Sequence, residues 1–207
     1  MGSLAFVRLD RSSRRKTAHR GCREMSPRRL FLERLEDRAL PSVSVLNQFA
    51  GMSINDTTLG EPPDTIVAAG PSHLVELVNT AIRIYSKSNG GVLSTRQLWS
   101  FFQPLGTGPS SSLSDPVVSY DELGNRFVAG ALDFELPGAG PSRFDFAVSN
   151  TSDPTAGWTF RRYDMNDVLS GVADFADFPR LGWNADAYVV SFNMFITPAT
   201  YDHVDTL

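Results

Sequence analysis

The chain has 207 residues, of which 42% are hydrophobic, and a formal net charge of −4 at neutral pH. That hydrophobic content is enough for a folded core, and no run of about 18 apolar residues is present that would cross a membrane as a helix. Residues 1–41 hold 11 of the 19 basic residues and 5 of the 23 acidic ones, which leaves this part at +6 and the rest at −10. The acidic part argues against a nucleic-acid partner, because phosphate contacts need clustered Lys and Arg.

We expect the first 42 residues to form a basic leader outside the fold. Residues 1–27 are rich in Arg and Ser and lack apolar periodicity, which is typical of disorder. Residues 28–42 read Arg-Arg-Leu-Phe-Leu-Glu-Arg-Leu-Glu-Asp-Arg-Ala-Leu-Pro-Ser, and their leucines recur at a loosely helical spacing that Pro41 would end. The sequence therefore predicts a largely disordered leader with a short helix near residues 28–40, followed by a folded domain over residues 43–207.

The pattern of the folded domain predicts β-strands separated by turns. Residues 81–85 and 143–149 alternate apolar and polar side chains, as half-buried strands do. Residues 105–114 and 136–142 are rich in Gly, Ser and Pro and are expected to be loops. Val43, Val45 and Leu46, in the lead-in to the domain, are expected to form an edge strand.

One strand-turn-strand outline occurs three times, and each copy opens on an aspartate. Asp64, Asp115 and Asp177 are spaced by 51 and then 62 residues, close to the period of β-propeller blades. We predict an all-β fold, a partial β-propeller of antiparallel four-stranded blades near residues 62–102, 115–163 and 177–207. Three blades cannot close a ring, so we expect the chain to be truncated after about three blades and to self-associate through its open blade faces.

Two groups of motifs resemble known families. The Leu-Glu-Asp-Arg…Leu-Pro-Ser pattern of residues 35–42 resembles the N-terminal sorting motif of surface and secreted planctomycete proteins. The domain resembles a group of bacterial secreted β-propeller proteins in four motifs, which begin at Pro63, Asp115, Ala147 and Asp177. The resemblance implies an extracellular or cell-surface location and a polysaccharide or protein partner. It implies no reaction, because a shared fold does not transmit an activity.

The three repeated aspartates are the first candidate site. If the blades are equivalent, Asp64, Asp115 and Asp177 lie on one face of the propeller, where a ring of carboxylates binds a cation or a carboxylate pair hydrolyses a glycoside. The alternative is that each aspartate caps its own turn by accepting nearby backbone N–H bonds.

A second candidate site is a cluster of acids between the second and third blades. Asp164, Asp167, Asp174 and Asp177 fall within 14 residues, and calcium takes several carboxylate ligands. Their spacing differs from that of the Asp-x-Asp-x-Asp-Gly calcium loop, so solvated acids are the alternative.

The remaining motifs do not indicate a particular reaction or metal site. Residues 151–158 resemble a degenerate Asp-box, the structural turn of sialidase-like propellers. His73 and His203 lack the spacing of a zinc motif, and no serine nucleophile elbow is present. Trp99, Phe101 and Phe102 are expected to pack between blades, with a sugar-binding surface as the alternative. We therefore expect a secreted or surface-displayed binding or structural module with calcium as its ligand, and as the rival a fragment of a carbohydrate-active, sialidase-like hydrolase.

Overall fold

The computed structural model describes residues 45, 47–56, 62–108, 112–136, 139–166, 174–197 and 199–207. The leader, with its predicted disorder and its helix near residues 28–40, lies outside this range. Among the described residues, no helix has the length and apolarity that a bilayer-spanning segment requires.

The described chain is built of three antiparallel sheets, in each of which the strands follow chain order. The first sheet contains β1 (Ile66–Ala69), β2 (His73–Val78), β3 (Ala81–Ser86) and β4 (Val92–Gln97). The second contains β5 (Ser112–Asp121), β6 (Arg126–Leu136), β7 (Ala139–Ser149) and β8 (Trp158–Asp164). The third contains β9 (Phe175–Trp183), β10 (Tyr188–Thr197) and β11 (Thr200–Thr206). One helical turn, α1 (Leu98–Phe101), and 3-10 turns at Ile54–Asp56 and Gln103–Leu105 complete the described elements.

This architecture confirms the predicted fold class, because the described chain is all-β with antiparallel four-stranded sheets that do not close into a ring. The middle sheet is apolar on both faces, as a blade between two neighbours must be. Val118 packs in the core shared with the first sheet, and Val117 in the core shared with the third. Since successive residues of a strand point to opposite faces, one short apolar run supplies both cores.

Aromatic side chains fill the junction between the first two sheets. Phe101 and Phe102 are buried, and the Phe101 ring lies edge-on to Trp158 at 5.2 Å and to Phe160 at 5.2 Å between ring centroids. Edge-to-face pairs of this kind stabilise a core beyond their buried area alone. The prediction that these aromatic residues pack between blades is confirmed.

The first strand of each sheet lies on the inside of the arrangement, where β5 contacts both β1 and β9. The starts of these three inner strands therefore lie together at one end of the sheets. The turns at residues 70–72, 122–125 and 150–157 lie at the opposite end. There, His73 Nε2 lies 3.7 Å from Asp153 Oδ1 and links the first two sheets.

Two local predictions are wrong. Val45 belongs to no strand and is exposed, whereas Val43 and Leu46, the other residues of the predicted edge strand, lie outside the described range. Residues 47–56, which we call the lead-in segment, instead cross the outward face of the first sheet. The residues expected to be loops are partly strands, because β5 already begins at Ser112 and β7 at Ala139. Small residues in these segments still pair with neighbouring strands, since the tertiary sheet overrides a weak local β-propensity.

Candidate functional site

A cavity of about 330 Å³ opens where the inner strands begin. Its walls come from the starts of all three inner strands, and it is lined by Asp64, Thr65, Ile66, Asp115, Pro116, Val117, Phe178, Pro179 and Arg180. We call it the carboxylate pocket. The Arg180 guanidinium carbon lies 3.8 Å above the centroid of the Phe178 ring, so a cation–aromatic pair lines the pocket together with the carboxylates.

The backbone at the pocket is unusual in all three sheets. Asp64, Asp115 and Phe178 have φ angles of 44°, 49° and 53°, in the left-handed region. Asp115 and Phe178 each precede a proline where the strand register shifts, which marks a β-bulge. Left-handed backbone costs on the order of 1–3 kcal/mol for a non-glycine residue and is concentrated at functional sites. In the third sheet the backbone equivalent of Asp64 and Asp115 is therefore Phe178, one residue beyond Asp177.

Asn79 connects the first two carboxylates of the pocket. Its Nδ2 donates to Asp64 Oδ2 at 2.5 Å and to the carbonyl oxygen of Pro62 at 2.9 Å. Its Oδ1 accepts the backbone N–H of Asp115 at 2.8 Å. One amide side chain from the end of β2 thus holds the starts of β1 and β5 together.

Asp115 and Asp177 form a carboxyl pair between the second and third sheets. The Asp115 Oδ2 accepts the backbone N–H of Phe178 at 3.2 Å. Burial, followed by the hydrogen bond to Asp115 and its negative charge, raises the pKa of Asp177 to about 6. The Phe178 N–H opposes this rise in pKa, and the charge of Asp64 adds to it. A negative charge beside a carboxyl group disfavours its ionised form, so the proximity of Asp115 makes Asp177 a weaker acid than an ordinary aspartate.

The contacts of these aspartates run between segments distant in sequence. Asp115 accepts a hydrogen bond from Phe178, 63 residues along the chain, and Asp64 accepts one from Asn79, 15 residues away. Asp121, by contrast, caps its own turn, since its Oδ1 accepts the N–H groups of Leu123 and Gly124 at 2.9 and 2.8 Å. The repeated aspartates thus join neighbouring elements around a cavity.

The four acids of the second candidate site lie in different surroundings. Asp164 is exposed and accepts hydrogen bonds from the N–H and side chain of Asn166, and Asp167 lies outside the described residues. Asp177 pairs with Asp115 beside the carboxylate pocket. Asp174 belongs to another group, in which one ligand atom each from Asp174, Asp202 and His203 lies within 4.8 Å of the others.

The Asp-box-like residues form the turn between β7 and β8. Asp153 Oδ1 accepts the N–H and hydroxyl of Thr155 at 2.8 and 2.7 Å, and the Trp158 indole N–H donates to the carbonyl of Pro154 at 2.8 Å. The hydrogen bonds from Thr155 hold the pKa of Asp153 below its usual value. This turn lies at the end of the sheets opposite the carboxylate pocket, so it braces the second sheet and stays apart from the pocket.

No family model, curated protein or solved structure matches this chain. The geometry of its own residues is therefore the basis for a functional proposal.

Sequence reasoning missed Asn79 and Asp202, and it set His203 aside because no zinc-motif spacing accompanies it. Asn79 follows an apolar run and begins a turn, and a polar amide at that point was the available signal. Asp202 and His203 are neighbours in β11, and both residue types are metal ligands. That Asp174 lies beside them follows only from the strand order of the third sheet.

Proposed function

We propose that the domain is a β-propeller binding module that takes a sugar unit of an extracellular polysaccharide in the carboxylate pocket. The observation that carries this proposal is the convergence of Asp64, Asp115 and the Phe178–Arg180 wall on one cavity of about 330 Å³. Small-ligand sites have volumes of roughly 300–1,000 Å³ and combine apolar walls with a few placed polar groups.

The chemistry of the pocket walls fits a polyhydroxylated ligand. Ionised carboxylates accept two or more hydrogen bonds from neighbouring hydroxyl groups, and Arg180 supplies donors on the facing wall. Arg180 covers one face of the Phe178 ring, but Phe178 is 51% exposed, so the uncovered part of the ring is available to the C–H side of a sugar. The left-handed backbone of Asp64 and Asp115 holds both carboxylates in place before a ligand arrives.

The test is titration calorimetry of the full chain with neutral trisaccharides that differ in linkage, such as cellotriose, maltotriose and chitotriose. We expect at least one to bind, and Asp115→Ala to weaken that binding about 10- to 100-fold, since a hydrogen bond to a charged group contributes about 1.5–3 kcal/mol. Asp186→Asn is the charge-matched control, because Asp186 is exposed in the β9–β10 turn at the other end of the sheet. Absence of binding to all three sugars, or equal binding by Asp115→Ala, would contradict the proposal.

A hydrolase acting on the same ligand class is the second candidate. The raised pKa of Asp177, about 6, suits a general acid. Against this, the hydrogen bond between Asp177 and Asp115 brings the carboxyl groups closer than the roughly 5 Å of retaining glycosidases. If the domain is a hydrolase, new reducing ends should appear from the bound trisaccharide, and the Asp177→Asn variant should not produce them. If it is a binding module, the sugar stays intact.

Calcium at Asp164, Asp167, Asp174 and Asp177 stays a prediction. Carboxylate oxygens are suitable calcium ligands, and the net charge of the domain is negative. The measurement is the melting temperature of the full chain in EDTA and in millimolar calcium. No change in melting temperature would sink the calcium prediction.

We also propose that the module is exported to the cell surface or beyond and that residues 1–42 are its sorting signal. The support is the Leu-Glu-Asp-Arg…Leu-Pro-Ser pattern near the N-terminus. Fractionation of cells that express the full chain and a variant lacking residues 1–42 tests this. Equal surface display of both forms would contradict it.

A further inference from the structure

We propose that Asp174, Asp202 and His203 form a binding site for a divalent transition-metal ion, with zinc as the best-fitting member. Asp174 directly precedes β9, whereas Asp202 and His203 lie on β11. The strand order β11-β10-β9 places these segments on either side of β10. One ligand atom from each residue lies within 4.8 Å of the other two, a separation that one ion can span.

The burial of Asp174 without hydrogen-bond partners is an independent observation that indicates a bound cation. Its side chain is buried, with 1% of the residue exposed. Neither carboxylate oxygen has a hydrogen-bond partner among the described residues. Burying an ionised carboxylate without partners costs several kcal/mol, so buried carboxylates are paired, neutralised or bound to metal. An ion shared with Asp202 and His203 would satisfy Asp174 where the described protein groups do not.

The ligand set indicates which class of metal fits. Two carboxylate oxygens and one imidazole nitrogen favour zinc and its neighbours in the first transition row, since imidazole is a poor ligand for calcium and magnesium. His203 Nδ1 lies 2.8 Å from Asp202 Oδ2. A carboxylate beside a ligating imidazole fixes the orientation and tautomer of the ring. Zinc sites with three protein ligands leave a position for water or a further ligand.

Such an ion would join the start of β9 to β11 and so fasten the outer strand of the third sheet. Because the metal binds the folded state, its binding free energy adds to the stability of that state. The competing explanation is an ion cluster without metal, in which a protonated His203 supplies the positive charge. The two explanations differ in their response to added zinc.

The experiment uses the full chain, stripped of metal with EDTA and dialysed. Zinc is titrated by calorimetry, and the melting temperature is recorded with and without zinc. We expect Asp174→Asn and His203→Gln to abolish the zinc-induced rise in melting temperature, and Asp202→Asn to weaken the zinc Kd about 10- to 100-fold. His73→Gln is the matched control, because His73 lies at the turn end of the first sheet beside Asp153.

A second measurement separates loss of the site from loss of the fold. Without metal, Asp174→Asn is expected to be at least as stable as the natural sequence, because the amide removes a buried negative charge. Cobalt bound in place of zinc should give visible absorption bands that disappear in His203→Gln.

Three outcomes would overturn the proposal. The first is that zinc leaves the melting temperature of the natural sequence unchanged. The second is that the rise persists in Asp174→Asn and His203→Gln, which would assign it to another place, such as His19 and Cys22 in the leader. The third is that calcium produces the same rise as zinc and that both Asp174→Asn and His203→Gln abolish this calcium effect. None of these outcomes bears on sugar binding, which is tested through Asp115.

Discussion

At the scale of single residues, the aspartates at the carboxylate pocket lie in an arrangement that lowers the stability of the folded state. Asp115 adopts a left-handed backbone, and its carboxylate faces both a cavity and the carboxyl group of Asp177. Both groups are half-buried, and a pair of like charges in such a place destabilises the folded state. Such an arrangement is typical of binding sites, where stability is lost in exchange for preorganised polar groups.

The first prediction concerns Asp177→Asn at neutral pH. The pKa of Asp177 is raised to about 6 in the folded chain, against 3.8 for an ordinary aspartate. Protonated Asp177 costs the folded state nothing, so the stability of the chain is at its full value below about pH 4 with respect to this group. That stability is lost as the pH rises through 6 and Asp177 ionises in the folded state. Asparagine carries no such charge, so the variant should be more stable by about 1 kcal/mol at neutral pH, after discounting for partial solvent screening.

Urea unfolding of both proteins across this pH range measures the difference. It should vanish in acid, and Asp186→Asn should show no such trend. A variant less stable than the natural sequence at neutral pH would contradict the prediction.

Arg162 stabilises the folded state, in contrast to the Asp115–Asp177 pair, because its guanidinium neutralises two buried acids. It donates to Asp145 at 2.7 and 2.8 Å, to Asp133 at 2.6 Å and to the Thr107 hydroxyl at 2.8 Å. The hydrogen bond to Asp145 is the main reason why its pKa is raised. The same side chain donates to the carbonyl of Leu105 at 3.1 Å, which fastens the connection between the first two sheets.

We predict that Arg162→Met destabilises the domain by about 3–5 kcal/mol, the usual cost of removing one partner from a buried ion pair. Arg161→Met is the matched control on the same strand, because Arg161 is exposed; its effect should stay within about 0.5 kcal/mol. The free energies of unfolding in urea decide between them. Equal losses in the two variants would show that the buried acids do not need the guanidinium.

At the scale of elements, the second and third sheets are joined at the turn end by side chains from three strands. Tyr188 Oη donates to Asp121 Oδ2 at 2.8 Å, and the Trp183 indole N–H donates to Ser119 Oγ at 3.0 Å. Burial would raise the pKa of Asp121, but hydrogen bonds from Gly124, Tyr188 and Leu123 outweigh it, so the pKa lies below its usual value. One aspartate thus caps the β5–β6 turn and fixes β10 beside it.

The lowered pKa of Asp121 sets the sign of a pH dependence. Its stabilisation is present above the ordinary aspartate pKa of 3.8 and is lost as the pH falls through the lower folded value. We predict that Asp121→Asn costs about 1–3 kcal/mol at neutral pH and that this cost shrinks in strong acid. Glu122→Gln, an exposed neighbour, is the control. A cost that is the same at all pH values would contradict an ionised Asp121.

At the scale of the whole molecule, the two end sheets differ in how their outward faces are covered. The lead-in segment lies over the first sheet, where Asp56 pairs with Arg83 at 2.7 Å and the Phe49 ring contacts Tyr85 at 5.3 Å. Glu76 accepts the backbone N–H of Met52 at 3.1 Å on the same face. The outward face of the third sheet instead exposes Val189, Tyr201 and Val204.

Self-association through open blade faces stays a prediction. Because the outward face of the third sheet is the more exposed of the two, we expect the association to occur there. Uncovered apolar sheet faces favour association. Sedimentation velocity over a range of protein concentrations should show a species larger than a monomer, and Val204→Lys should reduce it. Val92→Lys, an equally exposed position on β4, is the control. A monomer at all concentrations would contradict the prediction.

The sequence by itself determined the strands and their recurrence. The alternation around Phe144 and Phe146 and the turns after Gly70 and Asp121 are local signals, because strand pattern and turn chemistry depend on neighbouring residues. The sequence also placed Asp64 and Asp115 correctly near the starts of inner strands, but it took Asp177 as their equivalent where the backbone equivalent is Phe178. The segments at residues 105–114 and 136–142 were misjudged, since strand pairing there comes from the sheet and not from composition.

Only the tertiary structure decided which groups meet. The carboxyl pair of Asp115 and Asp177 joins residues from two different sheets, and the group of Asp174, Asp202 and His203 forms across an intervening strand. The order and packing of the sheets bring these residues together, and no periodicity in the chain encodes those distances. The sequence therefore determined the kind of fold, whereas long-range sheet packing decided which carboxylates lie beside one another, which line the pocket and which group with His203.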